Sequence, residues 1–236
     1  MADPWSEIMM DAATGVAGEY TIERDDGRIE TLQVLDYIRP LLEWPECERL
    51  AIQHATGKVL DIGCGAGRVL FNLQSLGHEV VGIDLARGAI EACRSRGITE
   101  VHVMSAGEMD FPDATFDTVV MFGNNFGILG SDDNIIDMLK TLHRITTPQG
   151  IILAGSADVV KTDDEEHLDY HKLNVSRNRP KGLIRLRVAY RGLVDEWMDL
   201  RLATPNEMVY LAEMAGWSLE RKYQDGTPYV GILVKK

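Results

Sequence analysis

Short apolar runs alternate with helical patterns through the middle of the chain. A mostly apolar run at residues 59–62 breaks into glycines, and apolar residues at helical spacing follow it. A second apolar run at residues 80–83 ends at Asp84. This order of strand, glycine turn, helix and strand predicts a β-α-β unit with an acid at the tip of its second strand.

The alternation continues towards the C-terminus. Further strands are predicted at residues 101–104, 117–122 and 151–155, with helical patterns between them. A capping box at Thr204 then opens a last helix, and two more strand patterns follow it. The pattern therefore predicts an α/β domain with seven strands.

Two segments lie outside this alternation, and the first is at the N-terminus. Residues 1–30 are polar and acidic without a sustained period, so we expect them to be flexible or ordered by a ligand. Residues 31–54 carry a helical pattern that Pro40 interrupts. We therefore divide the chain into an N-terminal helical cap segment, residues 1–55, and a main domain, residues 56–236.

The second such segment, residues 156–202, follows the fifth predicted strand and is expected to form a lid. Its residues 183–200 alternate in polarity around Gly192, which predicts an inserted antiparallel hairpin between strand five and the last helix.

A three-residue loop in this hairpin sets the predicted register. It pairs Leu186 with Met198 and Tyr190 with Val194, and it places Glu196 on the apolar face. A carboxylate among apolar neighbours needs a cation, a hydrogen bond or a proton, so Glu196 is the first candidate for a catalytic group. The alternative is that this face is half exposed and Glu196 points to solvent.

The next catalytic candidates are three other residues of this segment, which precede Glu196 in the sequence: His167, Tyr170 and His171. The two histidines are four residues apart and would share one face of a helix. No further ligand stands at a metal-binding spacing, so we expect no metal site.

The glycine turn after residue 62 has a direct chemical use. Glycines carry no Cβ, so a ligand can touch the main chain there and the free N–H groups of the following helix. Asp84 then stands where a ribose diol would bind. A nicotinamide dinucleotide site needs glycine or alanine three positions after its second glycine, and this position is Arg68. The glycines are instead Gly63, Gly65 and Gly67.

With Asp61 before them, these glycines form a D-x-G-x-G-x-G motif, and the acid at position 84 follows it. At these residues the sequence resembles the class I S-adenosylmethionine-dependent methyltransferases, especially the small-molecule branch similar to the ubiquinone and menaquinone biosynthesis enzymes. The resemblance implies a Rossmann-like fold with a seven-stranded, mostly parallel sheet and helices on both faces. It also implies S-adenosyl-L-methionine as the cofactor.

In that family the acid at Asp61 and the glycine loop hold the methionine end of the cofactor, and the acid at Asp84 holds the ribose. Adenine contacts are expected around Ser105 and Ala106. Tyr20 is a candidate aromatic contact, with ordinary packing as the favoured alternative. The cofactor-binding set that the resemblance implies is Asp61, Gly63, Gly65, Gly67, Asp84, Leu85, Ser105, Ala106, Glu108, Phe122, Asn124 and Tyr20.

Charge and composition limit the partners. The formal net charge is -13 and the sequence pI is about 4.9, which argues against nucleic acid or an anionic membrane as the main partner. Three cysteines without metal-ligand spacing, and an N-terminus without an apolar signal, predict a cytoplasmic protein. The expected partner is a small-molecule methyl acceptor, and the oligomeric state stays open.

The sequence thus predicts a methyltransferase that moves a methyl group to a small acceptor by in-line displacement. Two alternatives remain at this point. One is a non-catalytic module that binds S-adenosylmethionine, because residues that hold a cofactor do not prove turnover. The other is a nicotinamide-dependent oxidoreductase, which Arg68 disfavours.

Overall fold

The computed structural model describes residues 3–236, which form two β-sheets and seven α-helices. The strands are β1 (Glu19–Arg24), β2 (Ile29–Gln33), β3 (Lys58–Ile62), β4 (Glu79–Asp84), β5 (Val101–Val103), β6 (Phe116–Met121), β7 (Thr146–Ala157), β8 (Leu183–Tyr190), β9 (Leu193–Val194), β10 (Met198–Arg201), β11 (Trp217–Gln224) and β12 (Pro228–Lys235). The α-helices are α1 (Pro4–Ala13), α2 (Glu46–Ala51), α3 (Arg68–Ser75), α4 (Arg87–Ser95), α5 (Asp132–Ile145), α6 (Glu165–Ser176) and α7 (Pro205–Met214).

The main sheet has seven strands in the order β11-β12-β7-β6-β3-β4-β5. The five strands from β7 to β5 are parallel to their neighbours, and β12 pairs with both β7 and β11 in the antiparallel direction. This confirms the predicted seven-stranded, mostly parallel sheet. The carboxyl ends of β3, β4 and β6 therefore meet at one edge, where open α/β sheets bind ligands.

Helices cover both faces of this sheet, as predicted. Buried side chains of α5 and α7 pack with Trp217 on one face. Buried side chains of α2, α3 and α4 pack on the other. The Trp217 indole N–H donates to the Leu139 carbonyl oxygen (3.0 Å), which satisfies its polar atom inside the core.

The second sheet is antiparallel, with strand order β10-β8-β1-β2 and with β9 paired to β8. It joins an N-terminal hairpin to the inserted hairpin, so the expectation of a helical cap for residues 1–55 is wrong over residues 19–33. Tyr20 and Ile22 of β1 and Leu32 of β2 lie on one face of this sheet, and Ile22 aligns with Val188 of the distant β8. Local periodicity could not show this pairing.

Residues 1–30 are also more ordered than expected over the part that the structure describes. The Asp3 carboxylate caps α1 by accepting the Ser6 N–H (2.8 Å), and Ile8, Met9 and Ala12 are buried. The Ser6 hydroxyl accepts the N–H of Gly88 (2.9 Å) at the start of α4. Helix α1 is therefore docked on the main domain.

The inserted hairpin has the predicted register at its open end but not at its turn. Leu186 aligns with Met198, as predicted, whereas Tyr190 aligns with Leu193 instead of Val194. The turn thus has two residues, and the extra residue is taken up by an irregular stretch at residues 195–197 between β9 and β10. Such a stretch reverses which side chains face inward.

Within residues 3–236, no helix combines the length and the hydrophobicity that a bilayer crossing requires.

The contact between α1 and α4 yields a first prediction. A Cβ at position 88 would overlap the Ser6 main chain, so Gly88→Ala should displace α1. Overpacking of this kind costs about 1–3 kcal/mol, which corresponds to roughly 5- to 150-fold faster exchange of the amides of α1. Hydrogen exchange followed by mass spectrometry measures it. Glu91→Ala, at an exposed position of the same helix, is the control, and equal protection of α1 in both variants would contradict this packing.

Candidate functional site

A cavity of about 760 Å³ lies at the carboxyl edge of the main sheet. Its floor is the loop after β3, the tip of β4 and the loops after β5 and β6. Its roof consists of residues 3–37 together with the hairpin β8–β10, and we use the word roof for these two segments below. Parts of the chain that are far apart in sequence thus enclose one space.

The glycine loop, residues 63–67, forms the centre of the floor. Gly63, Gly65 and Gly67 all have positive φ (69°, 53° and 78°), a conformation that other residues rarely adopt. The N–H groups of Gly63 and Cys64 both donate to the carbonyl oxygen of Ile83 (2.9 and 3.0 Å), so the loop is fixed to β4. The loop therefore presents its main chain to the cavity.

The Asp84 carboxylate lies beside this loop. Its Oδ2 accepts the N–H of Gly65 (3.0 Å) and its Oδ1 accepts the N–H of Ala86 (2.9 Å). Burial raises the pKa of Asp84, and these main-chain donors oppose that rise. Each carboxylate oxygen can accept a further hydrogen bond, so the group can also bind hydroxyls from the cavity.

Asp61, at the carboxyl end of β3, is the least satisfied group on the floor. Its residue is 3% exposed, and Oδ2 has no hydrogen-bond partner within residues 3–236. Burial raises the pKa of Asp61 to about 7, although the positive charge of Arg68 opposes this shift. An orphaned buried carboxyl facing a cavity suits a ligand that brings a cationic donor.

Arg68 also faces the cavity, but its charge is already compensated. Its guanidinium forms an ion pair with Glu48 (2.7 Å) and lies over the ring of Trp44 (4.5 Å). Glu48 in turn accepts the N–H of Gly123 (3.3 Å), so the pair connects α3, α2 and the loop after β6. This arrangement fills the place where a dinucleotide fold needs a glycine.

The structure brings most of the predicted cofactor residues together. Those that line the cavity are Asp61, Gly63, Gly65, Asp84, Leu85, Ser105, Ala106, Phe122, Asn124 and Tyr20. Gly67 and Glu108 do not. A Cβ at Gly67 would press on Ile98 and Cys93, so this glycine serves packing of α4, and Glu108 is an exposed loop acid.

The asparagine pair after β6 is divided between two roles. Asn124 lines the cavity and has a left-handed backbone (φ 72°), as a turn residue does. The Asn125 side chain donates to the carbonyl oxygens of Ile62 (2.8 Å) and Gly63 (3.2 Å). Asn125 therefore holds the start of the glycine loop against β6.

None of the four proposed catalytic side chains lies in the cavity, which corrects that expectation. The irregular stretch after β9 leaves Glu196 exposed, and Asp195 faces the cavity instead. His167, Tyr170 and His171 lie on α6, which packs at the end of the second sheet. There the Tyr170 hydroxyl donates to Asp25 (2.6 Å). These three residues hold α6 in place or face solvent.

Sequence reasoning named Tyr20 from the aromatic part of the roof but missed Trp5 and Tyr37. Trp5, Tyr20 and Tyr37 come from α1, β1 and the 3₁₀ turn Val34–Ile38, and their ring centroids are 6.0–6.4 Å apart. The two tyrosine hydroxyls are 3.0 Å apart. Burial raises the pKa of Tyr20 to about 12 and also that of Tyr37, so both are neutral. The only signal was the presence of aromatic residues in an otherwise polar segment.

Within the described residues, no group of three potential metal-ligating side chains is assembled.

Comparisons with known proteins identify the same region. A family model described as a methyltransferase domain matches residues 59–150. The chain is 26% identical over 160 residues to a ubiquinone biosynthesis O-methyltransferase of Ruegeria sp., and 31% identical over 104 residues to a cypemycin N-terminal methyltransferase of Streptomyces sp.. These alignments cover 67% and 42% of this chain, and 59% and 42% of the relatives.

A solved structure extends the similarity to nearly the whole chain. A S-adenosylmethionine-dependent methyltransferase from Bacteroides fragilis, in complex with S-adenosyl-L-homocysteine, is 25% identical with a TM-score of 0.84. The match covers 99% of this chain and 94% of that one, so it includes the roof as well as the main sheet. In its glycine loop, Asp84 and strand order, the chain is similar to the class I S-adenosylmethionine-dependent methyltransferases.

Proposed function

We propose that this protein transfers the methyl group of S-adenosylmethionine to a small-molecule acceptor held under the roof. One observation carries the proposal: a single cavity is lined both by the glycine loop with Asp61 and Asp84 and by a mostly apolar surface under the roof, which we call the chamber. The cavity volume of about 760 Å³ lies within the range of roughly 300 to 1,000 Å³ typical of small-molecule sites.

The floor fits the cofactor. The orphaned carboxyl of Asp61 suits the ammonium group of its methionine end, and Asp84 has acceptor capacity for the ribose hydroxyls. When bound, S-adenosylmethionine supplies a methyl group on a positively charged sulfur. The departing thioether is neutral, so the chain needs no acid to protonate it.

The roof fits an acceptor with an apolar body. Its chamber carries Ile22, Leu32, Leu186, Met198 and Leu200. Such a chamber excludes water and fixes the acceptor, and orientation of this kind can supply roughly 7 to 11 kcal/mol of a reaction barrier. The net charge of -13 further favours a small acceptor over a nucleic acid.

The names of the relatives do not define the attacked atom. One is an O-methyltransferase of ubiquinone biosynthesis and the other an N-terminal methyltransferase for cypemycin. The direct experiment is incubation with methyl-labelled S-adenosylmethionine and a metabolite extract. A labelled small product that depends on the protein supports the proposal. Cofactor binding without any labelled product would indicate a non-catalytic binding module.

The second prediction concerns Asp84. Asp84→Ala removes a charged acceptor, so affinity for S-adenosylhomocysteine should fall by roughly 10- to 100-fold in calorimetry. Glu108→Ala is the matched control, because that acid is exposed outside the cavity. Unchanged affinity in Asp84→Ala, or an equal loss in both variants, would refute the assignment of Asp84 to the ribose.

The third prediction concerns pH and Asp61. The Asp61 carboxyl has a pKa of about 7 in the folded chain and about 3.9 when unfolded, so its contribution to stability falls as pH rises from 4 to 7. Asp61→Asn should therefore raise the melting temperature of the ligand-free protein at pH 8, by about 3 °C or more, and change it little at pH 4. The same variant should weaken cofactor binding.

Thermal denaturation at the two pH values and calorimetry at pH 8 provide the measurements, with Glu108→Gln as the control. A lower melting temperature of Asp61→Asn at pH 8 would show that the carboxyl has a partner in the folded chain, contrary to the geometry.

A further inference from the structure

The charged groups around the cavity have one predominant sign. The carboxylates on its lining are Asp3, Asp61, Asp84 and Asp195. Among the lining residues within residues 3–236, Arg68 is the one with a basic side chain. Its guanidinium forms an ion pair with the Glu48 carboxylate at 2.7 Å, which compensates its charge. The summed charge of the lining therefore favours ligands with net positive charge over ligands with net negative charge.

Of the four carboxylates on the cavity lining, Asp195 is the one that belongs to the roof hairpin. Its N–H donates to the carbonyl oxygen of Val188 (2.8 Å), which fixes the irregular stretch between β9 and β10. Its Oδ1 accepts the N–H of Glu196 (2.9 Å). Within the described chain no basic side chain forms an ion pair with it. One carboxylate oxygen is thus available to a ligand.

The remaining surface of the chamber is apolar and aromatic. Leu186, Met198 and Leu200 lie on the same hairpin as Asp195. The rings of Trp5, Tyr20 and Tyr37 belong to the same lining, and their neutral side chains can attract a cation through their π faces. Two independent features, the Asp195 carboxylate and the aromatic cluster, therefore both favour a positively charged ligand.

We propose that the acceptor is an apolar amine and that Asp195 binds its nitrogen. This inference rests on the methyl transfer proposed above and assigns the substrate class and a further binding residue to the same site.

The charge change of the reaction agrees with this assignment. The ammonium form first loses a proton to water, so Asp195 stays a carboxylate. Its nitrogen lone pair then forms the new N–C bond while the S–C bond breaks, and the electron pair of that bond stays on sulfur. Positive charge moves from sulfur to nitrogen, so a carboxylate beside the nitrogen stabilises the charge as it develops. An oxygen acceptor that reacts as an oxyanion is instead repelled by the same carboxylate.

Three indole compounds with similar size test this inference: tryptamine, a cation; tryptophol, a neutral alcohol; and indole-3-acetate, an anion. Their affinities are measured by calorimetry with the protein saturated with S-adenosylhomocysteine. We expect tryptamine to bind at least about 10-fold more tightly than tryptophol, and indole-3-acetate to bind most weakly.

Two variants localise the effect. Asp195→Asn keeps the acceptor for the Glu196 N–H, so the hairpin should stay folded, and it should reduce the preference for tryptamine over tryptophol to within about threefold. Glu196→Gln changes the neighbouring exposed acid and should leave the preference unchanged. Circular dichroism checks that both variants are folded.

The outcomes separate this inference from the proposed function. Absence of S-adenosylhomocysteine binding overturns the methyltransferase proposal itself. If that ligand binds but indole-3-acetate or tryptophol binds as well as tryptamine, or if none of the three binds, the amine assignment is overturned alone. A preference for tryptamine that persists in Asp195→Asn removes Asp195 from the site and assigns the preference to the aromatic cluster.

Discussion

The hydrogen bonds of the Asp84 carboxylate define the floor on which the rest of the site depends. By accepting the N–H groups of Gly65 and Ala86, this side chain connects the glycine loop to the end of β4. The loop can adopt this shape because its glycines tolerate positive φ. The cost of burying a carboxylate is offset by these donors, which leaves acceptor capacity directed at the cavity. The same residue thus organises the loop and presents acceptor capacity to the cavity.

The main sheet could be predicted from sequence because its information is local. Each parallel strand is a short apolar run followed by a turn signal, and the capping box of Thr204 and Glu207 marks α7 directly. The second sheet could not be predicted in this way. Ile22 in β1 gains its neighbour only through pairing with Val188 in β8, and a strand with one apolar face in a polar segment gives a weak pattern.

The same distinction, between local patterns and contacts of distant segments, applies to the candidate site. Residues on the floor, such as Asp61 and Gly65, line one cavity because a motif fixes them relative to one another. On the roof, the register of Leu186 with Met198 was right. A single irregular stretch nevertheless exchanged Glu196 for Asp195, because successive residues of a strand point to opposite faces. The aromatic cluster depends on three separate segments and has no local signature.

The roof, made from two segments that are distant in sequence, has a consequence for engineering. Because β1 supplies the hydrogen-bonding partner of β8, neither segment is an independent module. A foreign N-terminal hairpin that does not pair with β8 would leave β8 with unpaired main-chain groups along one edge, and such an edge is a template for aggregation. To change the acceptor, the N-terminal hairpin and the hairpin β8–β10 should therefore be replaced together, both from the same donor enzyme. The main sheet and the floor of the cavity are kept.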